Sequence, residues 1–170
     1  AFVYTDFDVS INDFSVTINN AKLRQSATNL TTNYLTITAR VEVPALVATP
    51  DSALHELTLG RRSLNLALTD EEFLDYNTLV ISSFYLVNAP TGLAIEAVDG
   101  NSPTSAVVDL AYTGTDFDAN ITNLRVGILK SILLQSKVSD LISNNMTITA
   151  FVETPSAALS ADSVLTEYRL

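Results

Sequence analysis

The stretch NYLTITARVEVP (residues 33–44) returns as NNMTITAFVETP (residues 144–155). In the first, Leu35, Ile37, Ala39, Val41 and Val43 alternate with Thr36, Thr38, Arg40 and Glu42; in the second, Met146, Ile148, Ala150 and Val152 keep the same register. Alternation with period 2 is the signature of a strand with one buried and one wet face. Thr, Val and Ile also suit a pleated, half-buried surface.

Extending outward, residues 6–26 match residues 116–136: Asp6-Phe7-Asp8 with Asp116-Phe117-Asp118, Ile11 with Ile121, Val16 with Val126, Ile18 with Ile128, and Leu23 with Leu133. After one inserted residue the match resumes, pairing Leu30 with Leu141 and Asn33 with Asn144. It runs on through Pro44 and Pro155 to Glu56 and Glu167, and to Leu59 and Leu170. This order of identities is a duplication with a period of about 111 residues, near the size of one β-sandwich module. The expected organisation is the second half of a repeat over 1–53, one complete repeat over 54–165, and over 166–170 the start of a further repeat or a C-terminal strand.

Between the two copies the alternation continues in Leu64, Leu66 and Leu68, in Leu93, Ile95 and Ala97, and in Ala106, Val108, Leu110 and Tyr112. Turn residues separate these runs at 88–92, 99–103 and 113–115. Thr69 followed by Glu72 fits a capping box and predicts a short helical turn over 70–75. Helix is also expected over 20–25, and over 129–142, where Leu133, Leu134, Val138 and Leu141 have helical spacing. Many short alternating strands predict an all-β fold, an antiparallel β-sandwich with one or two helical turns, which the resemblance described below makes immunoglobulin-like.

Composition narrows the function. Of 170 residues 47% are hydrophobic and 16% charged, enough apolar side chain for a core. With 9 Lys+Arg against 19 Asp+Glu the formal net charge is -10, and the nearest basic cluster is Arg61-Arg62. A nucleic-acid partner needs clustered cations and is not expected. Nor is membrane insertion, because no apolar run approaches the ~18 residues of a spanning helix. The sequence has no Cys and one His, His55. That removes thiolate sites, multi-His metal sites and most dyad and triad chemistry, so an enzyme is not expected.

Residues 88–93 (NAPTGL), 106–118 (AVVDLAYTGTDFD) and 145–150 (NMTITA), with strands at 64–69 and 84–88 ahead of them, resemble prokaryotic extracellular tandem repeats. These are the immunoglobulin-like or cadherin-like repeats of surface-layer, adhesin and stalk proteins. The resemblance covers one repeat from near Leu54 to Leu165 and half of another over 1–53. Where that pattern has glycine before Thr-Asp-Phe-Asp, as at Gly114, the first copy has Tyr4. The resemblance implies an extracellular or cell-surface structural role, with neighbouring repeats or copies of the chain as partners; it does not imply a catalytic activity.

The Asp-Phe-Asp stretch is the best candidate for metal binding. In extended chain Asp6 and Asp8, or Asp116 and Asp118, point to one side and the Phe to the other. Calcium takes six to eight oxygens, which Glu42 and Glu153, or Asp99 and Asn101, could help supply. The plainer alternative has Phe7 and Phe117 plugging a core while the Asp residues cap a turn; no cofactor is required. Asp70-Glu71-Glu72 is dense enough in carboxylate for glycosidase chemistry, but is better read as negative charge in a helix's first turn. The leading functional expectation is a structural module, self-assembling by strand complementation between chains. The rival is a sandwich whose loops grip a ligand or cell-surface glycan, with no Trp to supply a platform.

Overall fold

The computed structural model describes residues 7–135, 139–160 and 167. They form short strands, antiparallel with one exception, and 3-10 turns; there is no α-helix among the described residues. The first sheet has the order β5-β7-β10-β9, from Ala45–Pro50, Ser63–Thr69, Ser105–Tyr112 and Leu93–Ser102. The second is centred on β11 (Ile121–Ile128), with β12 (Leu141–Ile142) and β13 (Met146–Thr149) along one edge and β8 (Phe84–Val87) along the other. The two residues of β6 (Leu54–His55) add to β13 in parallel. β5 lies before residue 54 yet pairs with β7 along its whole length.

The inward stripes of both sheets make one core. Leu46, Ala48, Leu64, Leu66, Leu68, Ala106, Val108 and Leu110 come from the first sheet, and Leu54, Phe84, Leu124, Val126, Ile128, Met146 and Ile148 from the second. Each fully buried Leu, Ile or Val in such a stripe contributes ~1.5–3 kcal/mol of transfer free energy. This is the period-2 pattern converted into stability.

The duplication repeats in space. β1 (Ile11–Phe14) pairs β4 (Leu35–Ile37) as Ile11 opposite Ile37 and Phe14 opposite Leu35; β11 pairs β13 at the matching residues, Ile121 with Ile148 and Leu124 with Met146. β2 (Thr17–Ile18) and β3 (Leu30–Thr31) likewise reproduce the β11–β12 register. Cross-links agree even where the side chain differs. Ala39 N–H donates to Ser10 Oγ at 3.0 Å, as Ala150 N–H donates to Asn120 Oδ1 at 2.9 Å. Val16 N–H donates to Thr32 Oγ1 at 3.1 Å, as Val126 N–H donates to Ser143 Oγ at 2.9 Å. What differs is cover: Phe14, Val16 and Leu35 are 44%, 51% and 56% exposed, while Leu124, Val126 and Met146 are 0%, 0% and 5%.

Several local expectations are corrected. Residues 70–75 are not helical. Asp70 turns the chain with φ 50, Phe73 N–H donates to Pro103 O at 2.8 Å, and Leu134 N–H donates to Glu72 O at 2.9 Å. Burial of the Phe73 ring 6.4 Å from Phe84 outweighs the local capping signal. A 3-10 turn begins only at Tyr76–Thr78. Over 129–142 the described residues hold a 3-10 turn at Lys130–Ile132 and strand β12, because Leu133 and Leu134 bridge to 72–74. Residues 20–25 contain a 3-10 turn at Asn20–Lys22. The long alternation at 35–43 is strand only over Leu35–Ile37. Gly100, read as part of a turn, lies inside β9. A Cβ there would sit 1.9 Å from Tyr76 O, so glycine marks a close backbone approach.

Equivalent positions in the two copies therefore carry different energies. Ile148→Ala should destabilise by about 2–5 kcal/mol in urea unfolding, whereas Ile37→Ala should cost no more than about 1 kcal/mol. Equal costs would mean that the first copy is covered as the second is.

Candidate functional site

Chain continuity brings four carboxylates to one end of the covered unit. The pairing of Leu54 with Ile148 and of His55 with Thr149 carries Glu56 past the end of β13. There its Oε1 accepts from Phe117 N–H at 3.0 Å and its Oε2 from Phe151 N–H at 2.8 Å. The buried Glu56 thus clasps the 113–120 loop to the segment leaving β13. The same loop is anchored by Tyr112, whose hydroxyl donates to Thr115 O at 2.7 Å and whose ring meets Phe117 edge-on at 6.3 Å. Gly114 lets the loop close, since a Cβ there would lie 2.1 Å from Thr91 O.

The clasped segments carry Asp116, Asp118 and Glu153, all exposed, with carboxylate oxygens within 4.8 Å of one another. Like charge at that spacing is unfavourable. Asp116 is raised above its ordinary value, first by desolvation, then by Glu153, by its hydrogen bond to Glu56 and the Glu56 charge, and by Asp118. Glu56 is lowered, chiefly by the hydrogen bond from Phe151 N–H, with desolvation opposing and the Phe117 N–H, Asp116 and His55 assisting. Desolvation, followed by the charges of Glu56 and Asp116, also raises the Tyr112 hydroxyl.

The residues named from sequence meet unevenly. Asp116 and Asp118 come together with Glu153; Asp99, in β9 opposite Val107, belongs to the other sheet. Asp6 lies outside the described residues, and Asp8 is exposed. In the first copy Arg40 occupies the position of Phe151 and forms ion pairs with Glu42, at 3.8 Å, and with Asp70, so that copy carries a counter-charge. Phe151 instead lies against His55, with ring centroids 6.4 Å apart. Glu71 is not a helix-dipole charge. It is buried, and its Oε1 accepts from Glu72 N–H at 3.0 Å and Gln135 N–H at 2.7 Å. It lines a cleft of about 560 Å³ with Arg40, Glu42, Asp70 and Glu72.

Sequence reasoning missed Glu56 as the organiser, noting it only as one more identity of the duplication. Its identity with Glu167 across the duplication was the available signal. The chain matches no family model, no curated protein and no solved structure.

The two shifted carboxyls pull stability in opposite directions with pH. Glu56, lowered from 4.5, stabilises above that value, and this is lost as pH falls through its folded pKa. Asp116, raised from 3.8, favours the fold below that value, and this is lost as pH rises through its folded pKa. Glu56→Gln should lower the melting temperature at pH 7 by several degrees and flatten the fall toward pH 4. Asp116→Asn should raise it at pH 7 in low salt, a gain that shrinks as salt screens the repulsion. Thermal unfolding of both variants between pH 4 and pH 7 checks the signs.

Proposed function

We propose that this chain is part of a non-catalytic, extracellular structural protein, a surface layer, fibre or adhesin stalk, built from tandem immunoglobulin-like β-sandwich modules. One observation carries the reading. Two stretches about 111 residues apart reproduce the same ladder register and the same side-chain-to-backbone cross-links, as units of a modular array do. The acidic balance of -10 supports it, because like-charged units repel and stay dispersed. The titratable groups at the clasp serve backbone hydrogen bonds rather than a nucleophile, which also favours a scaffold. Electron microscopy of polypeptides carrying increasing numbers of the repeat is the test. Rods whose length grows linearly with repeat number are expected. Compact particles that are retained on a glycan array would replace this reading with a carbohydrate-binding module.

Calcium enters this reading at Asp116, Asp118 and Glu153, where a divalent cation would neutralise three carboxylates held within 4.8 Å of one another. Binding through one oxygen each, the three carboxylates supply at most half of a six-to-eight-oxygen shell, with water and carbonyls completing it. Millimolar calcium chloride should raise the melting temperature, a chelator should reverse the rise, and Asp118→Asn should abolish it. An unchanged melting temperature removes calcium from the reading and leaves the scaffold intact.

A further inference from the structure

We propose that residues 7–43 are the acceptor half of a β-sandwich module, and that the occupant is a further segment patterned like residues 45–112, joined ahead of Asp6 as Thr115 joins Asp116. This rests on the tandem-array reading and deepens it by naming the surface and what covers it.

Three features of the first copy argue for that occupant, each read against its duplicate. Phe14, Val16, Ile18, Leu35 and Ile37 form an exposed apolar stripe. The same positions in the second copy, Leu124, Val126, Ile128, Met146 and Ile148, are buried under the sheet of β5, β7, β10 and β9. Contiguous exposed apolar surface of this kind marks an interaction site. Two strand edges are also open among the described residues. β8 lies along 125–128 and β6 along 148–149, but nothing described pairs the matching edges at 15–18 and 37–38. Finally, Asn144 latches the two sheets, its Oδ1 accepting from Ala48 N–H at 2.9 Å and its Nδ2 donating to Ala48 O at 3.2 Å. Among the described residues Asn33, its duplicate, reaches only the neighbouring Tyr34 O, at 3.3 Å. An apolar stripe, two edges and a polar latch all fit one partner, a sheet with the spacing of residues 45–112.

A second copy of the chain does not supply it. Each copy has one such segment and two acceptor halves, and the segment already covers residues 117–153. Exchange between copies leaves the same deficit.

The test compares the 170-residue chain with a longer one in which residues 45–115 are repeated directly ahead of residue 6. Amides of residues 14–18 and 35–37 should exchange with deuterium at least ~100-fold more slowly in the longer chain, as ladders in a closed core do. Binding of an apolar dye should fall. Asn33→Ala should lower the first melting transition of the longer chain and leave the 170-residue chain unchanged. Protection at 124–128 in both chains certifies that the second unit is folded. Exchange at 14–18 that stays fast beside that protected unit overturns the proposal. So does a sedimenting dimer of the 170-residue chain in which 14–18 is already protected, since a second copy would then be the occupant. The array reading fails separately: polypeptides of increasing repeat number that bury the stripe but form no rods refute the array and leave the acceptor half standing.

Discussion

The structure depends on one constraint: a sheet with one apolar face must be covered. Leu124, Val126, Ile128, Met146 and Ile148 are closed off by the stripes of β5, β7 and β10, and the turns and loops run around that contact. The first copy has the same ladders without the cover, which separates two contributions. Strand pairing, with its register and cross-links, follows from the local sequence of each copy. Burial needs the segment between them. A two-stranded ladder without a covered face is marginal in water, so most of the stability resides in residues 45–153.

Around that core the polar groups do connecting work. Glu56 takes backbone N–H groups from two loops, and Asn144 takes both backbone groups of Ala48. Glu56 satisfies backbone just past the end of β13, and Asn144 satisfies the outer edge of β5 in mid-strand, two places the sheet itself does not reach. The Glu56 clasp also fixes where negative charge accumulates, because the loops it joins bear Asp116, Asp118 and Glu153. The desolvation and, after it, the crowding of charge that raise Asp116 are by-products of a geometry favoured by two charge-assisted hydrogen bonds.

Strands and duplication were legible in the sequence because both are patterns of residue type. Leu64-Leu66-Leu68 and Ala106-Val108-Leu110 alternate in the chain and point inward in the fold. The errors came where a local signal met a tertiary one. Thr69 and Glu72 can cap a helix, but Phe73 four residues from Thr69 is needed in the core, and the backbone takes its partners from Pro103 and Leu134 instead. Gly100 looked like a turn residue and is a strand residue against which Tyr76 O lies. The acidic cluster was readable: Asp116 and Asp118 from the Asp-Phe-Asp stretch, and Glu153 as a carboxylate that could complete it. The Glu56 role was not, because it depends on a two-residue parallel pairing that carries no pattern.

The copies diverge most tellingly at Arg40 and Phe151. Phe151 packs on His55 within its own unit; Arg40 reaches forward to Asp70, in the turn after β7 of the following unit. The Arg40 side chain is 76% exposed, and ion pairs in that setting contribute ~0–1 kcal/mol. The seam between the first copy and the next unit is therefore held mainly by chain continuity through Val43 and Pro44 into β5, with the ion pair as a weak bias on angle. Proline at the seam restricts the backbone without adding a ladder bond. In a tandem array this arrangement makes each unit stiff and each joint compliant, because the apolar core lies within units and the ion pair that spans the seam has a largely exposed Arg40. Salt would then loosen the joints long before it affected the cores, since screening acts on exposed ion pairs and leaves buried apolar contacts in place.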